Sequence, residues 1–141
     1  MNKELTMDCN QVLNLSGKIR ELLCRNNFYS GDKLEYLSGL FYQNINESYI
    51  SSIKIDYYNK SVHIQFKPAY IRKQNMQGNR DSLMWYEIIY NILIQFYNSY
   101  KADIMSIIGP SNMVHFANPS LFHGYFFISR VSDNAIMIQF A

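Results

Sequence analysis

Charged side chains almost disappear from the second half of the chain, and this constrains the fold more than any other feature. Residues 82–129 contain only three formal charges, whereas residues 1–80 hold 18 of the 24 charged side chains. A segment so poor in charge is expected to be covered rather than solvated. Asn, Gln, Ser, Gly and Pro interrupt its apolar runs too often for a membrane span of about 20 apolar residues. The cover must therefore be protein, either this chain or a partner.

The length and charge of the chain limit its class. A chain of 141 residues fits one domain, which we expect to extend over residues 1–141. The net charge of +2 is small for a domain that holds nucleic acid mainly by charge. Cys9 and Cys24 are the only cysteines, and on one helix they would lie about 22 Å apart, beyond disulfide reach. With no apolar leader at the start of the sequence, this predicts reduced thiols and a cytoplasmic protein.

Two N-terminal segments repeat their apolar residues at helical spacing. Residues 9–25 indicate an amphipathic helix, which Asn26 and Asn27 are suited to end. Ser30 is placed to cap a second helix that runs to about Gln43. The inward sides of these helices carry Val12, Leu15, Ile19, Leu22 and Leu23 in the first, and Leu34, Leu37, Leu40 and Phe41 in the second.

The period changes to two after Tyr49. Residues 53–57 and 62–66 each alternate apolar with polar side chains, which predicts a β-hairpin with one apolar face. Its connection allows a turn in which Asn59 adopts the left-handed conformation. Pro68 offers no ladder donor and is expected to end the second strand.

A long helix is predicted from Asp81 to about Tyr100. Nearly all of its residues are apolar or aromatic, apart from a narrow polar stripe formed by Glu87, Asn91, Gln95 and Asn98. A helix with so small a polar face is expected to lie centrally, between the sheet and other helices or between the sheet and another chain.

The remaining C-terminal segments are short and bounded by turn residues, which favours strands. They comprise residues 104–108, 112–116, 122–130 and 135–140. The predicted fold is therefore α+β: two N-terminal helices and one long buried helix, packed on a mainly antiparallel sheet of about six strands.

No motif for catalysis, cofactor binding or metal binding is recognisable. His63, His115 and His123 form no close pair with each other or with a cysteine, as a zinc site would need. No nucleophile motif is present, and the acidic residues are scattered. We therefore predict a protein that is not an enzyme and has no cofactor. An enzyme with a dispersed site, for example His115 or His123 with Asp103 and Ser111, would be recognised by a pocket of converging polar groups.

One loop offers an alternative function. Between the hairpin and the long helix, Lys67, Tyr70, Arg72, Lys73 and Arg80 occur without an acidic residue among them. Cations and an aromatic ring in a loop can contact phosphates and stack on a base, so this loop favours a single-stranded nucleic-acid-binding protein as the alternative. Solvated cations between structural elements are the simpler interpretation.

Aromatic residues are in excess, with twelve tyrosines, nine phenylalanines and one tryptophan. Tyrosine is enriched at protein contact surfaces because it is large, rigid and amphipathic. The candidate partner-binding residues flank the polar stripe of the long helix or lie in a predicted strand: Tyr86, Tyr90, Tyr97, Tyr100 and Tyr125. The competing interpretation is that these tyrosines lie in the core with satisfied hydroxyls.

A single α+β domain without a catalytic signature, with a composition rich in Asn, Ile and Tyr, resembles the immunity proteins of bacterial toxin–immunity pairs, including the contact-dependent growth inhibition type. The resemblance covers general character over the whole length and involves no motif. It implies a protein that binds a cognate toxin and blocks its active site. A slightly basic chain then needs a partner with an acidic or apolar face, or an acidic patch of its own. A homodimer, a secretion chaperone and a viral interaction protein are the other binding roles that fit.

Overall fold

The computed structural model describes residues 9–45, 47–68, 81–116 and 125–140, and within them the chain forms five α-helices and one antiparallel sheet of four strands. The predicted α+β class is therefore confirmed. The helices are α1 (Cys9–Arg25), α2 (Gly31–Asn44), α3 (Asp81–Ser99), α4 (Lys101–Ile108) and α5 (Pro110–Phe116). The strands are β1 (Ile50–Asp56), β2 (Ser61–Phe66), β3 (Phe127–Ser132) and β4 (Ala135–Gln139), and a short 3-10 helix (Glu47–Tyr49) precedes β1.

The two N-terminal helices form where their apolar spacing predicts them. After α1, Asn27 adopts a left-handed conformation with φ of 55°, and the Asn26 side chain donates to the Leu22 carbonyl, so the predicted stop is confirmed. Ser30 is the N-cap residue of α2 with extended φ and ψ, but its side chain makes no capping hydrogen bond. Its carbonyl oxygen accepts from the Leu34 amide instead, so the backbone alone begins the helix.

The predicted hairpin is confirmed as β1 and β2, but its turn differs from the prediction. Lys60, and not Asn59, has the positive φ of 52°. The Asp56 carboxylate accepts hydrogen bonds from both the backbone and the side-chain nitrogen of Asn59. These bonds hold Asn59 in the first part of the turn, so the left-handed residue is the next one along the chain.

The sheet has the order β1-β2-β4-β3, and every neighbouring pair is antiparallel. Its two faces differ as period-two alternation requires. One face carries the buried side chains Val62, Ile64, Ile136 and Ile138. The other carries a cross-strand row of Lys54, His63, Met137 and Ser129, none of which is buried.

Two of the predicted strands are wrong. Residues 104–108 and 112–116 belong to the helices α4 and α5, so the described part of the chain has four strands and not about six. In α4, Ile104 and Ile108 are buried one turn apart while Met105 between them is exposed, a helical pattern too short to be told from a strand by sequence alone. Pro110 occupies the first position of α5, where its missing amide hydrogen costs nothing.

The long helix α3 is confirmed, and it has a wider solvent face than predicted. The predicted polar stripe of Glu87, Asn91, Gln95 and Asn98 is exposed, and so is Ile94 beside it. The buried side consists of Ile89, Ile92, Leu93, Phe96 and Tyr97. This side packs on α2, and the ring of Phe96 lies 6.3 Å from that of Phe140 just after β4. The helix thus connects α2 to the end of the sheet.

Candidate partner-binding surface

Two of the five candidate tyrosines are in the core and not on a surface. The side chains of Tyr97 and Tyr125 are only 1% and 0% exposed, so no partner could reach them in this structure. The Tyr29 hydroxyl donates a hydrogen bond to the Tyr125 carbonyl oxygen at 3.5 Å and lies 2.8 Å from the Tyr97 hydroxyl. Because the Tyr29 hydroxyl has only one hydrogen to donate, Tyr97 is the donor in the bond between the two tyrosines. The burial of both rings contradicts a partner contact through Tyr97 and Tyr125 in this structure and agrees with a place in the core.

These tyrosines belong to an aromatic core, which we define as Phe28, Tyr29, Phe96, Tyr97, Phe116, Tyr125 and Phe140. Its rings meet edge-on, stacked or tilted, with centroids between 4.5 Å apart for Tyr29–Phe140 and 6.4 Å apart for Phe28–Tyr97. Burial raises the pKa of Tyr29, Tyr97 and Tyr125 above the ordinary value, because the tyrosinate form would lose its hydration. All three hydroxyls therefore stay protonated well beyond neutral pH.

The other three candidates lie nearer the surface or outside the described side chains. Tyr90 and Tyr100 are half-buried against the core: the Tyr90 ring is 5.7 Å from Phe126, and the Tyr100 ring is 5.4 Å from Phe96. Tyr86 lies in α3, but its side chain is outside the described part. Among the candidates, Tyr100 thus lies between the core and the surface, because its ring centroid is also 5.6 Å from that of the exposed Tyr36.

Three tyrosines that the sequence did not single out are exposed. Tyr36, Tyr57 and Tyr58 are 41%, 49% and 91% exposed. Together with the exposed carboxylates of Asp32 and Glu35 they are called the tyrosine surface below. It joins the outward side of α2 to the tip of the hairpin. A signal was available, because Tyr36 lies outside the predicted inward side of α2 and Tyr57 and Tyr58 lie at a hairpin connection.

Two rings of the tyrosine surface are held in place. The Tyr57 hydroxyl donates to Glu35 at 2.9 Å, and its ring lies against Gly31, where an added Cβ would come within 3.3 Å of it. The Tyr36 hydroxyl lies 2.9 Å from the hydroxyl of Ser99 at the end of α3. Hydrogen bonds at the hydroxyl and packing at the ring fix both side chains although they remain exposed.

Two tyrosine hydroxyls in and beside the tyrosine surface have raised pKa values. The hydrogen bond to Glu35 and the charge of that carboxylate raise the pKa of Tyr57. Burial raises the pKa of Tyr100, and Tyr36, Asp103 and Asp32 add to this shift. For Tyr57 the neighbouring carboxylate of Glu35 is the main cause, whereas for Tyr100 burial comes first and the acidic groups add to it.

A nearby cation shows how this region binds positive charge. The ammonium group of Lys33 lies 3.8 Å from an oxygen of Asp103, 4.8 Å from the ring centroid of Phe28 and 5.3 Å from that of Tyr100. The Lys33 side chain is largely buried in this position. Ring faces and a carboxylate thus hold a cation at the border of the tyrosine surface.

The outer face of the sheet holds a second candidate site, a groove of about 110 Å³. Its polar lining comprises Ser52, Lys54, His63 and Gln65. His63 Nε2 lies 3.2 Å from the hydroxyl of Ser61, but Ser61 is buried, so that hydroxyl is closed to a substrate. The carboxylate of Asp56 accepts two hydrogen bonds from Asn59 in the hairpin turn, and these bonds lower the pKa of Asp56. The groove therefore offers a histidine beside a lysine and no activated nucleophile.

The predicted nucleic-acid loop lies mostly outside the described residues. Lys67 is exposed just after β2, with its amide donating to the Tyr49 carbonyl. Tyr70, Arg72, Lys73 and Arg80 are outside the described part, as are His123 and the side chain of His115. The nucleic-acid alternative therefore stays a prediction. Among the side chains that are described, no group of three or more His, Cys, Asp or Glu could hold a metal ion.

Comparisons with known proteins add no relative. No protein-family model, no curated protein and no solved structure matches this chain. None of the helices in the described ranges is long and apolar enough to cross a membrane. The function must therefore be inferred from the chain's own surface.

Proposed function

We propose that this chain is a non-catalytic protein-binding module whose tyrosine surface covers a site on a partner protein. One observation supports this above all others: Tyr36, Tyr57 and Tyr58 are exposed, and the first two are fixed by hydrogen bonds to Ser99 and Glu35. A folded domain gains little stability from such an arrangement at its surface. A binding partner gains from it directly.

The energetic reason lies in the cost of ordering side chains on binding. Immobilising a flexible side chain at an interface costs roughly 0.5–1.5 kcal/mol. Tyr36 and Tyr57 are already held, so most of this cost is met when the chain folds. Tyrosine also supplies a large contact area with only two rotatable side-chain bonds, which is why it is frequent where a few residues dominate affinity.

The most specific form of the proposal is an immunity protein that neutralises a cognate toxin. The general character of the sequence suggests it, and the exposed carboxylates of Asp32 and Glu35 supply the acidic patch that a slightly basic chain needs to face a cationic site. The mechanism is steric: the tyrosine surface blocks the toxin's active site, and substrate cannot enter. No chemical step on the part of this chain is required.

Affinity capture with mutated baits tests the proposal. The full chain, its Tyr58→Ala variant and its Val114→Ala variant are each used to capture proteins from cells of the source organism. Tyr58 is 91% and Val114 78% exposed, so neither substitution should unfold the chain. We expect one protein to be retained by the wild type and by Val114→Ala, and to be lost with Tyr58→Ala.

The captured protein must then be inhibited. If it is a toxin, its activity should fall in proportion to the added chain and stop at one equivalent. Capture that is equal for all three baits would contradict the assignment of the surface. Turnover of a substrate by the purified chain alone would contradict the non-catalytic function.

A further inference from the structure

The chemistry of the tyrosine surface indicates what kind of partner fits it. The whole chain carries a net charge of +2, yet this surface presents Asp32 and Glu35, with Asp103 at its border. Lys33 lies within the same region, but it is largely buried and already paired with Asp103. Solvent therefore meets carboxylates and tyrosine rings together.

The molecule itself shows which groups are attracted to such a combination. Lys33 is held by two ring faces and a carboxylate, as described above. Elsewhere in the fold, the guanidinium of Arg20 lies 4.1 Å from the ring centroid of Phe127, a residue of the edge strand β3. Cations are attracted to the faces of aromatic rings by the ring quadrupole, and a nearby carboxylate adds to this attraction.

The tyrosine surface contains the same components, a ring and a carboxylate, and among the described residues no cation lies over the ring of Tyr58. Tyr58 projects from the turn of the hairpin, next to Tyr57 and its bonded Glu35. Asp32 lies one helical turn before Tyr36, and both are exposed. A cationic side chain arriving from outside would find an exposed ring and a carboxylate in direct contact at Tyr57 and Glu35.

We propose that the partner presents arginine side chains to the tyrosine surface, an inference that rests on the protein-binding function proposed above. Arginine fits better than lysine because its planar guanidinium stacks on a tyrosine ring and can donate two parallel hydrogen bonds to a carboxylate. The partner of this chain thus has a basic contact face, as a protein that itself binds a polyanion would have.

A pair of peptides tests this without knowledge of the partner. One is an acetylated peptide with arginines separated by glycines, and the other has citrulline, the uncharged analogue, in place of each arginine. Each is titrated into the isotope-labelled full chain while backbone amide shifts are recorded. We expect the arginine peptide to shift residues 32–36 and 57–58 at low salt and the citrulline peptide to leave them unchanged. Equal effects of both peptides, or arginine shifts that are as large around Glu87 and Asp133, would overturn the inference.

Charge-neutral variants sharpen the test. Asp32→Asn combined with Glu35→Gln should weaken arginine-peptide binding by about 2- to 5-fold for each carboxylate removed. Glu87→Gln is the matched control, because Glu87 is an exposed carboxylate on α3. Tyr58→Ala removes a ring without touching a carboxylate and should also weaken binding. The inference fails if Glu87→Gln weakens binding as much as the double variant does.

The same variants separate this inference from the proposed function. If Tyr58→Ala loses the captured partner while the Asp32→Asn, Glu35→Gln chain retains it fully, the binding function stands and the basic contact face is rejected. If the arginine peptide binds at the tyrosine surface but no protein is captured there, the preference for arginine stands and the protein-binding function is rejected.

Discussion

The buried and the exposed tyrosines of this chain use the same hydroxyl chemistry in opposite settings. Tyr29 and Tyr97 are bonded to each other inside the aromatic core, whereas Tyr57 and Tyr36 are bonded to Glu35 and Ser99 at the surface. In the core, the bond satisfies a polar atom that has lost its water. At the surface, water could take the place of the bond, so its effect is to orient the ring. The first pair stabilises the fold, and the second fixes two exposed rings, which is what the proposed contact surface requires.

Truncation of a ring should separate the two settings most strongly. Tyr97→Ala removes a fully buried ring and leaves the Tyr29 hydroxyl without its donor, so we expect a loss of about 3–5 kcal/mol in the free energy of unfolding. Tyr58→Ala removes a ring that solvent surrounds and should change that free energy by at most about 0.5 kcal/mol. Urea denaturation followed by circular dichroism measures both. Similar losses in the free energy of unfolding for the two variants would contradict the placement of Tyr97 in the core and Tyr58 at the surface.

Alkaline pH should produce the next largest difference. Burial raises the folded-state pKa of Tyr29, Tyr97 and Tyr125 above the ordinary value near 10. Their contribution to stability is therefore complete below pH 10 and is lost as the pH rises above it, because the unfolded chain ionises first. Absorbance of tyrosinate should show exposed rings titrating before unfolding and the buried rings only with it. Ionisation of all twelve tyrosines in a still folded chain would contradict this.

Removal of single hydroxyls in the core should have a smaller effect. Tyr97→Phe keeps the ring and breaks the hydrogen bond to Tyr29, so it should cost about 1 kcal/mol. Tyr29→Phe breaks the same bond and also the longer one to the Tyr125 carbonyl, so it should cost at least as much. The double variant should cost less than the sum of the two, because both single changes remove the same bond. Additive losses in thermal denaturation would show that the two hydroxyls are not coupled.

The smallest effect is expected at the surface. Glu35→Gln removes the carboxylate that raises the pKa of Tyr57, so that pKa should fall back toward the ordinary value. Ring carbon shifts in a pH titration monitor this directly, with Tyr58 as a neighbouring control. An unchanged pKa for Tyr57 would show that Glu35 does not orient this ring in solution.

Sequence periodicity predicted most of the fold, and it failed where segments were short. The hairpin and the helices α1, α2 and α3 each span enough residues for their period to be recognised. The helices α4 and α5, whose residues 104–108 and 112–116 were predicted as strands, have only eight and seven residues. Short apolar runs between turn residues resemble strands. Gly109, with φ of 87°, separates two helices here and not two strands.

The sequence pointed to tyrosines as candidate contact residues, yet two of those it named, Tyr97 and Tyr125, are buried. Sequence could not show this, because Tyr97 is buried by residues such as Tyr29 and Tyr125 that are far away in the chain. The exposure of Tyr57 and Tyr58 is a local property of the hairpin tip, and their position at the predicted turn already indicates it.

The order of strands in the sheet has a consequence for synthesis of the protein. β4 lies between β2 and β3, although β2 ends at Phe66 and β4 begins only at Ala135. While a ribosome adds the intervening residues, the hydrogen-bonding edge of β2 that β4 will occupy has no native partner. Such an edge can pair with other nascent chains. Slow elongation or high expression should therefore favour aggregation of unfinished chains, and a chaperone that covers β2 should raise the yield of folded protein.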